Sequence, residues 1–316
     1  MKSICIKSND QNVLTYLLDS IEHLNQEQTC FSTNQFKLYK NVIIHYTGTD
    51  TELFITKIAT ILSYLVIDKY EEIFLNRLIS SNYFYFNSNE RKKILDICLE
   101  ILSDEDEFSL ENRQQLIFNS FYDYLYTNKQ IILYGFINFR LKNYLEFLDE
   151  VIDIAVSKFI IEREYLEFIS LLKLYIKSHI PSTDFVHLIY KDSKSILLDE
   201  DKNIICIDNE MFNSKFLSDI SFSSNDYTLN TLLTMLPKKI YIHLIDNNID
   251  EFINTLYLVF ENKIEFCNEC SICHIYKNSP KRSKRLKEMS LGTEGKNLFK
   301  KFLIIVLLGK EYFISV

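Results

Sequence analysis

A mixed α+β fold is predicted: a small N-terminal α/β unit, a central helical region, and a C-terminal α/β domain containing a β-hairpin. Three observations predict it. Apolar residues alternate near the start, recur at steps of three and four through the middle, and return to alternation after Pro181. Pro and Gly are scarce, three and five residues in 316, so few points interrupt the middle. Hydrophobic residues make up 47% and charged residues 25%, enough for a chain of this length to bury a core without staples.

In chain order, residues 2–7 alternate loosely as a short strand, and Asn9 or Asp10 caps a helix bearing Val13, Leu14, Leu17, Leu18, Ile21 and Leu24. Residues 36–46 read as strand, and the turn Thr47-Gly48-Thr49-Asp50 closes a unit over residues 1–50. The helical region spans 51–182. Its first helix covers 53–78, residues 82–86 break the pattern as a strand pair or loop, and Ser88 caps a helix over 89–102. An acidic turn at 103–107 precedes a helix over 108–125. Ile137, Leu141, Tyr144, Leu148, Val151, Ala155 and Phe159 form one helical stripe, and a second helix covers 162–176 until Pro181 stops it.

The C-terminal domain spans 183–274. Val186, Leu188 and Tyr190 alternate, and residues 196–198 and 204–207 flank the turn 199–203 as a hairpin. Asp226 caps a helix through Leu236, 240–244 is a strand, 250–260 a helix and 264–266 a last strand. Residues 275–316 are expected to be a basic, atypical tail, either disordered or a basic anchoring segment.

Net charge is −8 but uneven. The tail holds ten Lys/Arg against three Asp/Glu, so the preceding 274 residues carry about −15. Phosphate contacts need a basic field, so nucleic-acid binding is a weak reading, confined to the tail. With Gly48 and Gly135 the only glycines before residue 275, no Gly-rich phosphate loop is possible there. The seven cysteines are odd in number, and the first ten residues hold no apolar secretory segment, so reduced thiols and a cytoplasmic location are expected. The longest apolar run, residues 302–308, is too short to span a bilayer.

One stretch carries chemistry: CNECSICH, residues 267–274. Cys267 and Cys270 have the spacing that lets two thiolates face one metal or each other. Cys273 and His274 can complete a tetrahedral zinc site, since zinc takes sulfur and imidazole. A fourth ligand from elsewhere, Cys206 or His243, serves equally. A redox pair, part of an iron–sulfur run, and buried thiols with no chemical role remain open beside it. His243, on the strand 240–244, reads as a hydrogen-bonded structural histidine or as a ligand or base. Asn138, Arg140 and Lys142 form the polar side of the central helix. They read as a partner-binding patch, or as salt-bridged and solvated residues, with Glu146 a partner.

The stretch ILYGFINFRLKNYLEFLDEVIDIAVSKFIIEREYLEFISLLKLYI, residues 132–176, resembles the YtxC-like family of sporulation proteins of endospore-forming bacteria. The segments LLDEDKNII, LPKKIYIHL and IEFCNECSIC agree, and the resemblance covers most of residues 1–274. It implies a sporulation setting and supplies no catalytic residues. The sequence therefore supports a protein that binds a protein partner. The alternatives are a metal-dependent or redox enzyme centred on the cysteines and nucleic-acid binding through the tail.

Overall fold

The computed structural model describes residues 2–22, 24, 28–36, 38–103, 108–205 and 223–277. The chain is mixed α+β and divides into two compact units, Met1–Ile160 and Ile161–Val316.

In the first unit, strand β1 (Lys2–Ser8) leads into helix α1 (Gln11–Glu22), then β2 (Thr29–Phe36) and β3 (Tyr39–Tyr46). The sheet order is β2-β3-β1-β4, where β4 (Gln130–Ile132) pairs parallel to β1 and the other pairs are antiparallel. Alternation decides which face is buried. Ile4 and Ile6 of β1 lie opposite Ile44 and Val42 of β3, and all four are excluded from water. Val13, Leu14, Leu17 and Ile21 recur at helical spacing and give α1 its buried face. The helices α2 (Thr51–Asn82), α3 (Ser88–Ser103), α4 (Leu110–Thr127) and α5 (Leu133–Arg140), with the first part of α6 (Lys142–Ser178), extend the same core.

One buried polar cluster interrupts this core. Arg113 of α4 donates to Glu71 of α2 at 2.5 Å and to the Leu102 carbonyl at 3.0 Å, and the Tyr144 hydroxyl donates to the other Glu71 oxygen at 2.6 Å. Burial, then the Glu71 charge and its hydrogen bond, push the Tyr144 phenol well above its ordinary range.

In the second unit, β5 (Thr183–Lys191), β6 (Lys194–Leu198), β7 (Pro237–Leu244) and β8 (Ile264–Phe266) form a sheet in the order β6-β5-β7-β8. β5 and β6 pair antiparallel, while β5–β7 and β7–β8 pair parallel. Helices α7 (Ser224–Met235) and α8 (Glu251–Phe260) make the two parallel crossovers, and the short α9 (Ser271–Lys277) follows β8. Val186, Leu188, Tyr190, Ile240 and Ile242 share a core with α7, α8 and Phe168, Ile169, Leu172 and Ile176 of α6.

The structure corrects several element boundaries. Residues 36–46 are not one strand; the chain turns near Leu38 and β2 precedes β3. Asn82 ends α2 and residues 83–86 form a turn, the loop rather than the strand pair, and Asn87 rather than Ser88 caps α3. Its side chain accepts from Asn89 and Glu90 N–H, while the Glu90 carboxylate accepts from Asn87 N–H at 2.8 Å. The stripe 137–159 is broken at Leu141 (φ −93°, ψ 42°), between α5 and α6. The helix expected at 162–176 is the continuation of α6, since no Gly or Pro lies between residues 142 and 178 to end it. A further hairpin lies one strand earlier than the expected one. It joins β5 to β6 through Asp192 and Ser193, both at positive φ (49° and 57°), as a tight two-residue turn requires. The expected pairing across the turn 199–203 is present as well: Asp199 N–H donates to the Asn203 carbonyl at 2.9 Å, Ile205 N–H donates to the Leu197 carbonyl at 3.0 Å, and Leu198 bridges Ile204 antiparallel, while residues 206 and 207 lie outside the described residues. Cys206 and residues 278–316, and with them nearly all of the expected basic tail, lie outside the described residues. Among the described residues no helix is long and apolar enough to cross a membrane.

Candidate metal centre

The side chains at issue come from β7 and from the segment after β8. β7 alternates strictly at its end: Ile240 and Ile242 point into the helix-covered core, so His243 points to the opposite face. That face carries a smaller apolar cluster of Ile189, Leu198, Ile245, Ile272 and Cys273, with Cys267, Cys270 and Tyr276 packed against it. Cys267 N–H donates to the Ile242 carbonyl at 2.9 Å, which fixes the first cysteine beside β7. The chain then turns through Glu269, at φ 51°, and enters α9. The turn brings Cys270 back alongside Cys267, and the first turn of α9 adds Cys273. Lys277 pairs with Glu269 at 2.6 Å, and Lys191 donates to the Tyr276 carbonyl at 2.8 Å, holding α9 in place.

The result is a four-residue cluster. His243, Cys267, Cys270 and Cys273 bring one ligand atom each to within 4.8 Å of one another. His243 Nδ1 lies 3.3 Å from Cys273 Sγ and 3.5 Å from Cys270 Sγ. Cys273 Sγ lies 3.9 Å from each of the other two sulfurs. A tetrahedral zinc ion, with Zn–S of about 2.3 Å and Zn–N of about 2.0–2.1 Å, separates its ligand atoms by about 3.5–3.8 Å. The distances from 3.3 to 3.9 Å lie close to these edges and no pair is more than 4.8 Å apart, so the donor set suits such an ion in type and in approximate size.

The electrostatics agree. Burial, then the neighbouring His187, push the His243 imidazole down to about 4, so it is neutral at physiological pH, the form that ligates a metal. Burial, then Cys270 and Cys273, push the Cys267 thiol up to about 12. Burial also raises Cys270, but the Cys273 backbone N–H, the Cys267 thiol and the Ile272 N–H outweigh it, and Cys270 falls below an ordinary thiol. Cys270 is thus the first of the two to ionise. Three thiols confined in this way cannot all become thiolates unless a cation compensates them.

His274 does not join the cluster. A residue next to Cys273 on a helix points about 100° away from it, and the His274 side chain is exposed. His243 takes the place that the sequence offered first to His274. Sequence reasoning passed over His187 entirely. It lies on β5 beside β7, and its Nδ1 is 3.0 Å from His243 Nε2. The parity of β5 carries the signal: Val186 and Leu188 face the core, so His187 faces the same side as His243.

Each residue of the expected partner patch has a local contact. Asn138 accepts from Arg77 at 2.8 Å, Arg140 lies over the Tyr124 ring at 5.2 Å, and Lys142 pairs with Glu146 at 3.3 Å. Arg140 closes α5 and Lys142 opens α6, so the two sit on different helices.

Comparison with known proteins adds a family. A curated relative, an uncharacterised protein designated YtxC from Bacillus subtilis (strain 168), is 22% identical over 197 residues, covering 60% of this chain and 68% of the relative. No solved structure matches. The profile of the YtxC-like family matches residues 56–265, which include His187 and His243 and end just before Cys267. The chain belongs to the YtxC-like family.

Proposed function

We propose that the second unit is built around a structural zinc ion held by Cys267, Cys270, Cys273 and His243. The observation that carries this reading is the convergence of three sulfurs and one imidazole nitrogen within 4.8 Å of one another. Four protein ligands leave no open position for substrate or water, which favours a structural site over a catalytic one. The metal ties together β7, the turn after β8 and α9, where the apolar cluster is too small to do so alone. Iron–sulfur clusters are most often held by four cysteines, whereas three cysteines and one histidine are a standard structural zinc set. Elemental analysis tests the reading on full-length protein purified without chelator. One zinc per chain is expected in the wild type, and none in the Cys267→Ala/Cys270→Ala/Cys273→Ala variant. A metal-free wild type would end it.

On the cellular level, the reading is a cytosolic, sporulation-associated protein that acts by binding a protein partner. Resemblance to the YtxC-like family supports the setting. For the partner, the support is Phe139, 84% exposed between Asn138 and Arg140, since aromatic and Arg side chains supply most binding hot spots. Replacing Phe139 and Arg140 by alanine should preserve the fold and remove a crosslinked partner in sporulating cells. An unchanged set of crosslinks, or a normal yield of heat-resistant spores after gene deletion, would count against it.

A further inference from the structure

We propose that His187 is a positioning residue for this metal centre: its Nδ1 accepts the Nε2–H of His243 and so fixes the tautomer in which His243 presents Nδ1 to the metal. The inference rests on the zinc reading above. It follows from proton counting. A neutral imidazole carries one N–H, and the nitrogen that ligates a metal cannot be the one that carries it. His243 Nδ1 faces Cys273 and Cys270 at 3.3 and 3.5 Å, so the proton sits on Nε2, which faces His187 Nδ1 at 3.0 Å. His187 must then be the tautomer protonated at its own Nε2.

The fold holds this pair rigidly. β5 and β7 are parallel neighbours, with His187 opposite Tyr241 and Ile189 opposite His243, so His187 and His243 are diagonal neighbours on one face. The His187 ring packs against Phe185 at 5.6 Å and Tyr241 at 5.5 Å between centroids, both on that same face. His243 itself is 2% exposed. Without His187, its Nε2–H would be buried with no acceptor facing it. The ring would then gain by flipping to ligate through Nε2 or by loosening from the ion.

The test compares full-length wild type with His187→Leu and His187→Gln. Zinc affinity is read by competition with a chromophoric chelator, and ring protonation by 15N NMR of the histidine side chains. Zinc affinity in the Leu variant is expected to fall about 10- to 100-fold. The Gln variant, whose amide oxygen can accept the same proton, should recover most of it, and a loss of packing alone would not follow that order. Equal affinity in wild type and Leu variant, with His243 still bound through Nδ1, would overturn the proposal while leaving the zinc site intact. A wild type that takes up no zinc would instead remove the zinc reading and this inference with it. Should the Leu variant fail to fold, the wild-type zinc complex decides alone. A protonated His243 Nε2 beside an unprotonated His187 Nδ1 is expected. Zinc on His243 Nε2, or a proton on His187 Nδ1, would overturn it.

Discussion

The two units each bury a polar cluster inside an apolar setting, and each neutralises it by a different route. In the first unit, Arg113, Glu71 and Tyr144 complete one another: a cation, an anion and a hydroxyl donor, all supplied by α2, α4 and α6. In the second unit, His243, Cys267, Cys270 and Cys273 supply only donors to a cation. The polypeptide pairs the charges of the first cluster, leaving only Arg113 Nε without a hydrogen-bond partner among the described residues. The second holds no counter-charge of its own, and under the proposed zinc reading a metal ion supplies it. The difference teaches that buried polar groups alone do not mark a ligand site; an uncompensated donor set does.

This contrast can be broken most severely by removing the ion. Chelation, or Cys273→Ala, should destabilise the second unit by up to about 10 kcal/mol, the scale of structural zinc sites, and leave the first unit's hydrogen-exchange protection unchanged. Equal loss of protection in both units would show that the metal is not local to the second. Next in size, Arg113→Leu should cost about 3–5 kcal/mol in chemical denaturation, because it leaves the Glu71 carboxylate buried and unpaired. The cost should be the same with and without zinc. Replacing Glu71 and Arg113 together by apolar residues should recover much of it.

The cysteines sharpen the comparison further. Cys98 of α3 is fully buried, and burial pushes its thiol up to about 12. Cys30 is exposed. A thiol reagent at pH 8 should modify Cys30 within the mixing time and Cys98 only on unfolding. The clustered cysteines should react only after zinc is removed. The sign of the pH dependence follows. The unfolded Cys98 thiol ionises first, near its ordinary value of 9.0, so its contribution to stability falls as pH rises from there towards 12. The smallest effect belongs to the exposed Lys142–Glu146 pair, where Glu146→Ala should change stability by no more than about 0.5 kcal/mol.

Much of the architecture was legible because period alone decides it. The alternation of β5 and β7, the stripe on α1 and the helix starting near Asp250 could all be read locally, whereas the helix expected to be capped by Asp226 starts earlier, with Ser223 as its cap and Asp226 in its first turn. Asp250 accepts from Phe252 and Ile253 N–H, and Asp226 closes a capping box with Ser223. The three cysteines were legible as a cluster because CNECSIC is contiguous. What escaped depends on pairing across the chain. β4 is three residues long, and only its parallel partner β1 makes it a strand. Likewise, only the β5–β7 register brings His187 to His243, 56 residues apart. His274 was favoured by its place in the sequence, and helical geometry in α9 turns it away. The break at Leu141 carries neither Gly nor Pro, so the stripe ran through it without a mark.

The proposed zinc ion has three sulfur ligands and one nitrogen ligand, the nitrogen coming from β7 and not from α9. Zinc K-edge X-ray absorption on the full-length wild type, His243→Ala and His274→Ala tests it most directly. Three sulfurs at about 2.3 Å and one nitrogen at about 2.0–2.1 Å are expected in the wild type. That nitrogen should vanish in His243→Ala and persist in His274→Ala. Loss of the nitrogen in His274→Ala with retention in His243→Ala, or a wild type without a zinc edge, would contradict it.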